Sequence, residues 1–567
     1  MCKLVFRRLQ AKAHVLDDAA LDLGLQKQIK RMSLLAIFLF SSDLYLFRLT
    51  LLFSGTEFLV RFPTFEALIF LAFFILHLVI VWAFAWEVQD RIMPHTLSRR
   101  DYIRSNLSIS LPAILPWFII SILADLIPFL PFEAVRVFLL SPQGEILFIL
   151  GLLTPIAILA PVMIARFWRC KPLSDSPERS IIENVCQKAG LKYKSILQWD
   201  LFGGGMITAG VMGLIARFRY ILVTPAMVRV LNPKEIEAVI LHEIGHVQKR
   251  HMLFYLLFFI GFMLVIYFLT DPMILLLYLA WPIFQAAAFI GISKAEFAPV
   301  LFSGILILMF ILYFRYLFGF FMRNFERQAD IHVFSFMDNA IPLITTFHKI
   351  AAFSRQSPDK PSWHHFSISE RVAFLKRCHF NPRLIDTHHK KIRYFLGIYV
   401  MVMILACFCG YAISYGWAKD GFEGFVTQQL IKHELKINPE NSDLYVLVGD
   451  YYYGLKKHKK AIEAYENVLR IDPENVHALN NLSWLLSTCP DTELIDPSRA
   501  LDLAQRAVKI EPLPHILDTH AQACFLNRDF QCAMDMAMAA LEKATDKQSY
   551  YRDQLDRFKR AYDATLN

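Results

Sequence analysis

The segment His242-Glu243-Ile244-Gly245-His246 holds residue types that perform hydrolysis, at a spacing that brings them together. On a helix, two His at i and i+4 lie on one face and can ligate one metal ion. The Glu between them is placed to take a proton from water. Two His on a solvated helix face are the bland alternative. A third ligand weakens it: Glu326, in Asn324-Phe325-Glu326-Arg327-Gln328-Ala329-Asp330. Hydrolytic zinc sites use three protein ligands and keep one position open. Asp330, one turn beyond Glu326, is placed to accept the outer N–H of a ligating His and fix its tautomer. A Glu-x-x-x-Asp pair alone is weak; here it gains weight by following an apolar run.

These residues need elements to hold them. Asn232-Pro233-Lys234-Glu235 is a helix start, with an N-cap, Pro at the first position and Glu three residues after the cap. It predicts a helix through Ile236 to His251. Phe218 to Thr224 reads as a β run. The rest of the chain is far more apolar. Of 567 residues, 56% are hydrophobic and 19% charged, and mean hydropathy is +0.40. That excludes a disordered chain and an ordinary soluble enzyme. Residues 1–415 carry a net charge of +14 and residues 416–567 one of −5. A basic, apolar body beside an acidic, polar one reads as a membrane protein with a soluble appendage. No Lys/Arg stripe with interleaved aromatics marks a nucleic-acid partner. The nine Cys include no Cys-x-x-Cys, so neither a thiolate zinc site nor a redox pair is suggested. The polar start does not read as a cleavable signal.

A spanning helix needs about 20 apolar residues. Residues 1–32 are expected as a cytoplasmic segment and 33–166 as four transmembrane helices, at 33–53, 67–87, 107–130 and 145–166. Asp43, Arg48 and Asp125 within these runs are expected to face the bundle or snorkel. Residues 167–392 form the catalytic body, interrupted by spans at 253–321, where Asp271-Pro272 suggests a turn or break. A last helix covers 393–416. His242, His246 and Glu326 must share one side, so the crossings between them are even in number, and seven crossings are expected in all. Loops 54–66 and 131–144 hold one Arg each, against basic 87–106 and 322–393. The catalytic side is therefore expected to be cytoplasmic, and the C-terminal part extracytoplasmic. Residues 437–546 carry small residues and Pro at a 34-residue period. This resembles three tetratricopeptide repeats, with 547–567 as a capping helix.

The His242–His246 motif, the Glu326/Asp330 element and the spans between them resemble the membrane-integrated zinc metallopeptidases of the HtpX heat-shock protease and CAAX prenyl protease (Ste24-like) type. Ala209-Gly210-Val211-Met212-Gly213-Leu214, Arg219 to Thr224, and Glu235 to Val239 are similar to the family's stretch before the metal helix. The resemblance covers roughly 175–380. It implies a mainly α, polytopic helical membrane protein with a gluzincin-like peptidase domain containing a small β element, followed by an α-solenoid. It implies one Zn2+ per chain on His242, His246 and Glu326, with Glu243 as general base and Asp330 behind a ligand. The family's Asn-Ala, thought to pair with substrate backbone, is Thr208-Ala209 here. Its His-Pro-Ser…Arg element is matched by His365-Phe366-Ser367 and Glu370-Arg371, which gives His365, with His364 as a competitor, the oxyanion role.

The function expected is an integral-membrane zinc endopeptidase acting on membrane or membrane-associated proteins, in quality control or processing. A bacterial inner membrane is the implied location. Expected partners are a protein or peptide substrate, a protein bound by the repeats, and the lipid bilayer, with no nucleic acid. One alternative is an inactive membrane scaffold that recruits partners through its repeats. A metal transporter is the other, though it would need ionisable ligands inside the spans.

Overall fold

A computed structural model describes all residues except 15–16, 46, 48, 54, 93–96, 201–205, 355–356, 361 and 567. The chain divides into two compact units. One comprises Met1–Phe268 with Val300–Cys409; the other comprises Leu269–Pro299 with Gly410–Asn567.

Among the described residues, five helices are long and apolar enough to cross a membrane: Pro63–Ile92, Pro142–Phe167, His251–Leu277, Lys294–Ser335 and Arg383–Ser414. A bent pair, Arg99–Ser110 with Leu115–Phe129 at 61°, would make a sixth. The run expected at 33–53 differs. Its helix, Asp18–Tyr45, begins in the polar N-terminal segment and ends early, and positions 46 and 48 lie outside the described residues. The apolar stretch from 33 to 45 spans about 20 Å, short of a ~30 Å hydrocarbon core. Nor does Asp271-Pro272 break its helix, which runs on to Leu277 with Pro272 inside it. In lipid, losing one hydrogen bond to a proline costs less than unwinding backbone that has no water to bond. Asp125 faces protein as expected, accepting the Thr64 backbone N–H at 2.9 Å.

The body in the first unit that carries His242 and Glu326 is built on a four-stranded sheet: β1 (Lys171–Pro172), β2 (Ser195–Gln198), β3 (Ala209–Met212) and β4 (Tyr220–Val223), in the order β1-β2-β4-β3. β2 and β4 are parallel; β3 and β4 are antiparallel, with Val211 opposite Ile221. β4 is wholly buried. Its Ile221 and Val223 pack with Ile182 and Val185 of helix Pro177–Lys188 and with Ile236, Ile240 and Ile244 of helix Pro233–Gln248. β3 is an edge strand.

In the second unit, antiparallel helix pairs follow one another: Ser442–Gly454 with His458–Ile471, Val476–Thr488 with Pro497–Ile510, and Pro514–Leu526 with Phe530–Lys543. Gln548–Leu566 closes the series. Small residues sit where the helices touch: Ala461, Ala478, Ala500, Ala504, Ala521 and Ala533 are fully buried. Gly449 is needed for the same reason, since a Cβ there would overlap the Tyr465 ring. Cys524 and Cys532, on facing helices, form a disulfide. The bond joins two helices of a hairpin, and no short Cys motif encodes it.

Candidate active site

The helix Pro233–Gln248 starts with the expected box. Asn232 Oδ1 accepts the Glu235 N–H at 3.0 Å, and the Glu235 carboxylate accepts the Asn232 N–H at 2.8 Å. Lys349 Nζ adds a 2.7 Å bond to the same carboxylate. Burial alone would raise the Glu235 carboxyl, but these donors hold it below its ordinary value. The helix ends at Gln248, short of the expected His251, because Arg250 takes a φ of 58°. A new helix, the span His251–Leu277, starts one residue later. Glu326 and Asp330 lie on Gly319–His332, which continues the Lys294–Ser335 span beyond a π-helical turn at Tyr313–Phe318. Both ligand-bearing helices therefore adjoin the ends of spanning segments.

Gly245 lets these two helices approach closely. A Cβ there would lie 2.9 Å from His332 Cβ and 3.0 Å from Ala329 Cα. Across this contact, His242 Nε2 and His246 Nε2 stand 3.3 Å apart. The Glu326 carboxylate oxygens lie 3.6 Å from the first and 3.5 Å from the second. One ligand atom from each residue falls within 4.8 Å of the other two. Two buried imidazole nitrogens facing each other and a carboxylate fit a divalent cation of the zinc type better than they fit one another. Burial lowers the His246 pKa to about 4, keeping the imidazole neutral, as a ligand must be.

Asp330 stands behind His242, with its carboxylate 2.9 Å from Nδ1. Burial opposes charge on His242, but this carboxylate holds its pKa above the ordinary value. Arg371 grips Asp330 with two bonds, Nε to Oδ2 at 2.9 Å and Nη2 to Oδ1 at 2.6 Å. This fork orients the carboxylate toward the ring. Residues 242, 326, 330 and 371 thus form one continuous polar chain.

Glu243 points the other way, toward β3, where its Oε2 accepts the Val211 N–H at 3.2 Å. Burial pushes its carboxyl up to about 7, with His242 opposing. The cleft in front measures about 750 Å³, and its lining includes Thr208, Ala209, His242, Glu243, Glu326 and His365. Thr208 gives its carbonyl to Thr224, so alternate residues Ala209 and Val211 turn backbone groups to the open edge. The Thr208 hydroxyl bonds the Ala209 carbonyl at 3.3 Å. His365 Nδ1 lies 3.1 Å from Glu326 Oε2. The Arg327 guanidinium, 3.5 Å over the Phe366 ring, steadies the loop that carries His365. His364 also lines the cleft. All eight expected site residues therefore gather in one place.

Sequence reasoning missed His251 and Gln328. His251 Nδ1 meets His246 Nδ1, and its Nε2 meets Gln328 Oε1 at 3.0 Å. A His beyond a helix break has no fixed register with the motif, so no spacing rule could have found it. A second cluster, His520 with Cys524 and Cys532, also has metal-ligand types. Both sulfurs there are committed to the disulfide.

Residues 173–391 match peptidase family M48, and residues 442–475 match a tetratricopeptide repeat. Among solved structures, the crystal structure of S. mikatae Ste24p is similar at 18% identity and a TM-score of 0.36, over 66% of this chain and 99% of that one. No curated protein matches. Residues 173–391 thus form a peptidase family M48 domain, set in a membrane-spanning chain that continues into a tetratricopeptide repeat.

Proposed function

We propose that this protein is a zinc-dependent endopeptidase that cleaves membrane or membrane-adjacent proteins on the side of the membrane holding His242. The reading is carried by the convergence of His242, His246 and Glu326 beside Glu243 and an open strand edge in one cleft. Zinc held by these three residues would supply a Lewis acid that polarises the scissile carbonyl and acidifies water. The substrate backbone lies along β3 as an added strand, paired through Ala209. Glu243 Oε2 is occupied by the Val211 N–H, which leaves Oε1 to take the proton from attacking water. The same carboxyl then passes that proton to the leaving amine. His365, on the cleft wall, donates to the carbonyl oxygen as negative charge develops. Because both ligand helices extend from spans, a substrate anchored in the bilayer needs only a short extended stretch to reach the cleft.

The repeat segment 437–546 recruits protein, through three repeats of which 442–475 is the first, and is assigned to the membrane side opposite His242. A single spanning helix, Arg383–Ser414, lies in sequence between Glu326 and these repeats. The basic-to-acidic change in charge supports that orientation, with the cleft cytoplasmic. So does the Cys524–Cys532 bond, which belongs in an oxidising compartment.

The test is a trap. Glu243→Gln keeps the shape but cannot accept the proton, so it should retain zinc, lose cleavage, and hold substrate that can be identified after cross-linking. Zinc binding with no cleavage by the wild type would leave an inactive scaffold as the better reading.

A further inference from the structure

A second cleft, of about 740 Å³, lies in the first unit away from the peptidase residues. It sits where the span Pro142–Phe167 ends and the peptidase sheet begins at Lys171. Its lining holds four cations, Arg104, Arg166, Arg169 and Lys171, and two acids, Asp101 and Asp200. Both acids already have partners: Asp101 accepts the Ser98 hydroxyl at 2.6 Å, and Asp200 accepts the Gln198 amide at 2.8 Å. Among the described residues, none of the four cations takes part in an ion pair. The four cations outnumber the two acids, so the lining keeps a net positive charge that favours an anion.

The wall of the cleft says what kind of anion. Trp168 stacks on Trp199 at 4.4 Å between ring centroids and 9° between planes. The Trp168 indole N–H bonds the Ser108 carbonyl at 3.0 Å, tying the pair to helix Arg99–Ser110. Indoles at the end of a spanning helix mark the level of lipid headgroups. Leu107, Leu111 and Phe167 supply an apolar flank to the same cleft. A basic pocket with an apolar flank, at headgroup depth, matches a molecule with a phosphate at one end and acyl chain at the other.

We propose that this cleft is a binding site for an anionic phospholipid, with the phosphate held among Arg104, Arg166, Arg169 and Lys171 and the acyl chain against Leu107 and Phe167. The site is distinct from the peptidase cleft. By joining the end of a span to β1, it would fix the depth at which the peptidase sheet rides on the bilayer.

The test uses the full-length protein in neutral detergent, titrated with phosphatidylglycerol and read by native mass spectrometry. One phosphatidylglycerol should be retained per chain, more tightly than phosphatidylcholine. The Arg104→Gln/Arg166→Gln/Arg169→Gln/Lys171→Gln variant should bind it roughly tenfold more weakly or worse. If that variant unfolds, the Arg104→Gln/Arg166→Gln pair carries the test. Arg7→Gln/Arg8→Gln, exposed residues outside the cleft, should change nothing. Equal retention by the cleft variants would overturn the proposal, as would equal affinity for phosphatidylcholine. An equal loss in the Arg7/Arg8 control would show diffuse charge attraction and overturn it too. Displacement by sn-glycerol 3-phosphate at concentrations matching the lipid would assign the site to a free anion instead.

Discussion

His246 and His251 meet Nδ1 to Nδ1 at 2.9 Å across the break between two helices. The bond decides which nitrogen of His246 is free. As oriented in the structure, the Gln328 amide nitrogen donates to His389 Nδ1 at 3.0 Å, and its oxygen accepts from His251 Nε2. His251 Nδ1 is then the acceptor for His246 Nδ1–H. That leaves the His246 Nε2 lone pair facing Glu326.

His251→Phe should therefore weaken zinc binding by about 10- to 100-fold. The ring stacks on Phe325 at 4.4 Å, so Phe keeps the packing and removes only the acceptor. Competition against a fluorescent chelator measures the change. Glu326→Ala gives the upper limit, with zinc lost outright. Affinity within twofold of wild type for His251→Phe would reject the positioning role.

Gly245→Ala should push the Pro233–Gln248 and Gly319–His332 helices apart. The added methyl meets His332 Cβ and the Ala329 backbone, neither of which is the end of a flexible chain. Overpacking of this kind costs about 1–3 kcal/mol. Thermal unfolding should show the loss, and zinc affinity should fall with it, since the same contact sets the distance from His242 to Glu326. A stable variant with unchanged zinc affinity would show that the helices can yield.

The Glu235–Lys349 contact should make stability pH-dependent in a defined window. The folded Glu235 carboxyl titrates below its ordinary value. Its contribution is therefore complete above about pH 4.3 and is lost as pH falls through the folded value. The gap in unfolding temperature between wild type and Glu235→Gln should be full at pH 7 and should shrink only below about pH 4. A gap that persists unchanged at pH 3 would mean the variant loses packing rather than charge.

A reporter fused after Asn567, or a maleimide applied from each side, should place the C-terminus opposite His242. Cys524 and Cys532 should resist the maleimide until a reductant opens their bond. Maleimide labelling of Cys524 or Cys532 in the untreated protein, or a C-terminus on the His242 side, would refute the proposed orientation.

What could be read from the sequence was whatever a local period encodes. The i, i+4 pair His242 and His246, the cap at Asn232, and the small residues at Ala461 and Ala500 each follow from helix geometry alone. Glu326 was found because its role needs only a residue type after a span. What stayed hidden depends on contacts between elements. Arg371 was visible as part of a motif, but its grip on Asp330 comes from a separate helix brought alongside. Val211 serves Glu243 through its backbone, which no side chain announces. Cys524 and Cys532 pair only because a hairpin folds them face to face.

The open edge of β3 has a consequence for what the cleft can admit. A strand edge offers hydrogen bonds only to chain that is already extended, and it cannot grip a helix, whose backbone groups are spent on each other. Selection at such an edge is by conformation before it is by residue type. A stable helix emerging from the bilayer would slide past, while the same segment after damage or mispairing would be captured. Cleavage would then track how often a target's local structure opens, so the fraying free energy of the substrate would set its lifetime.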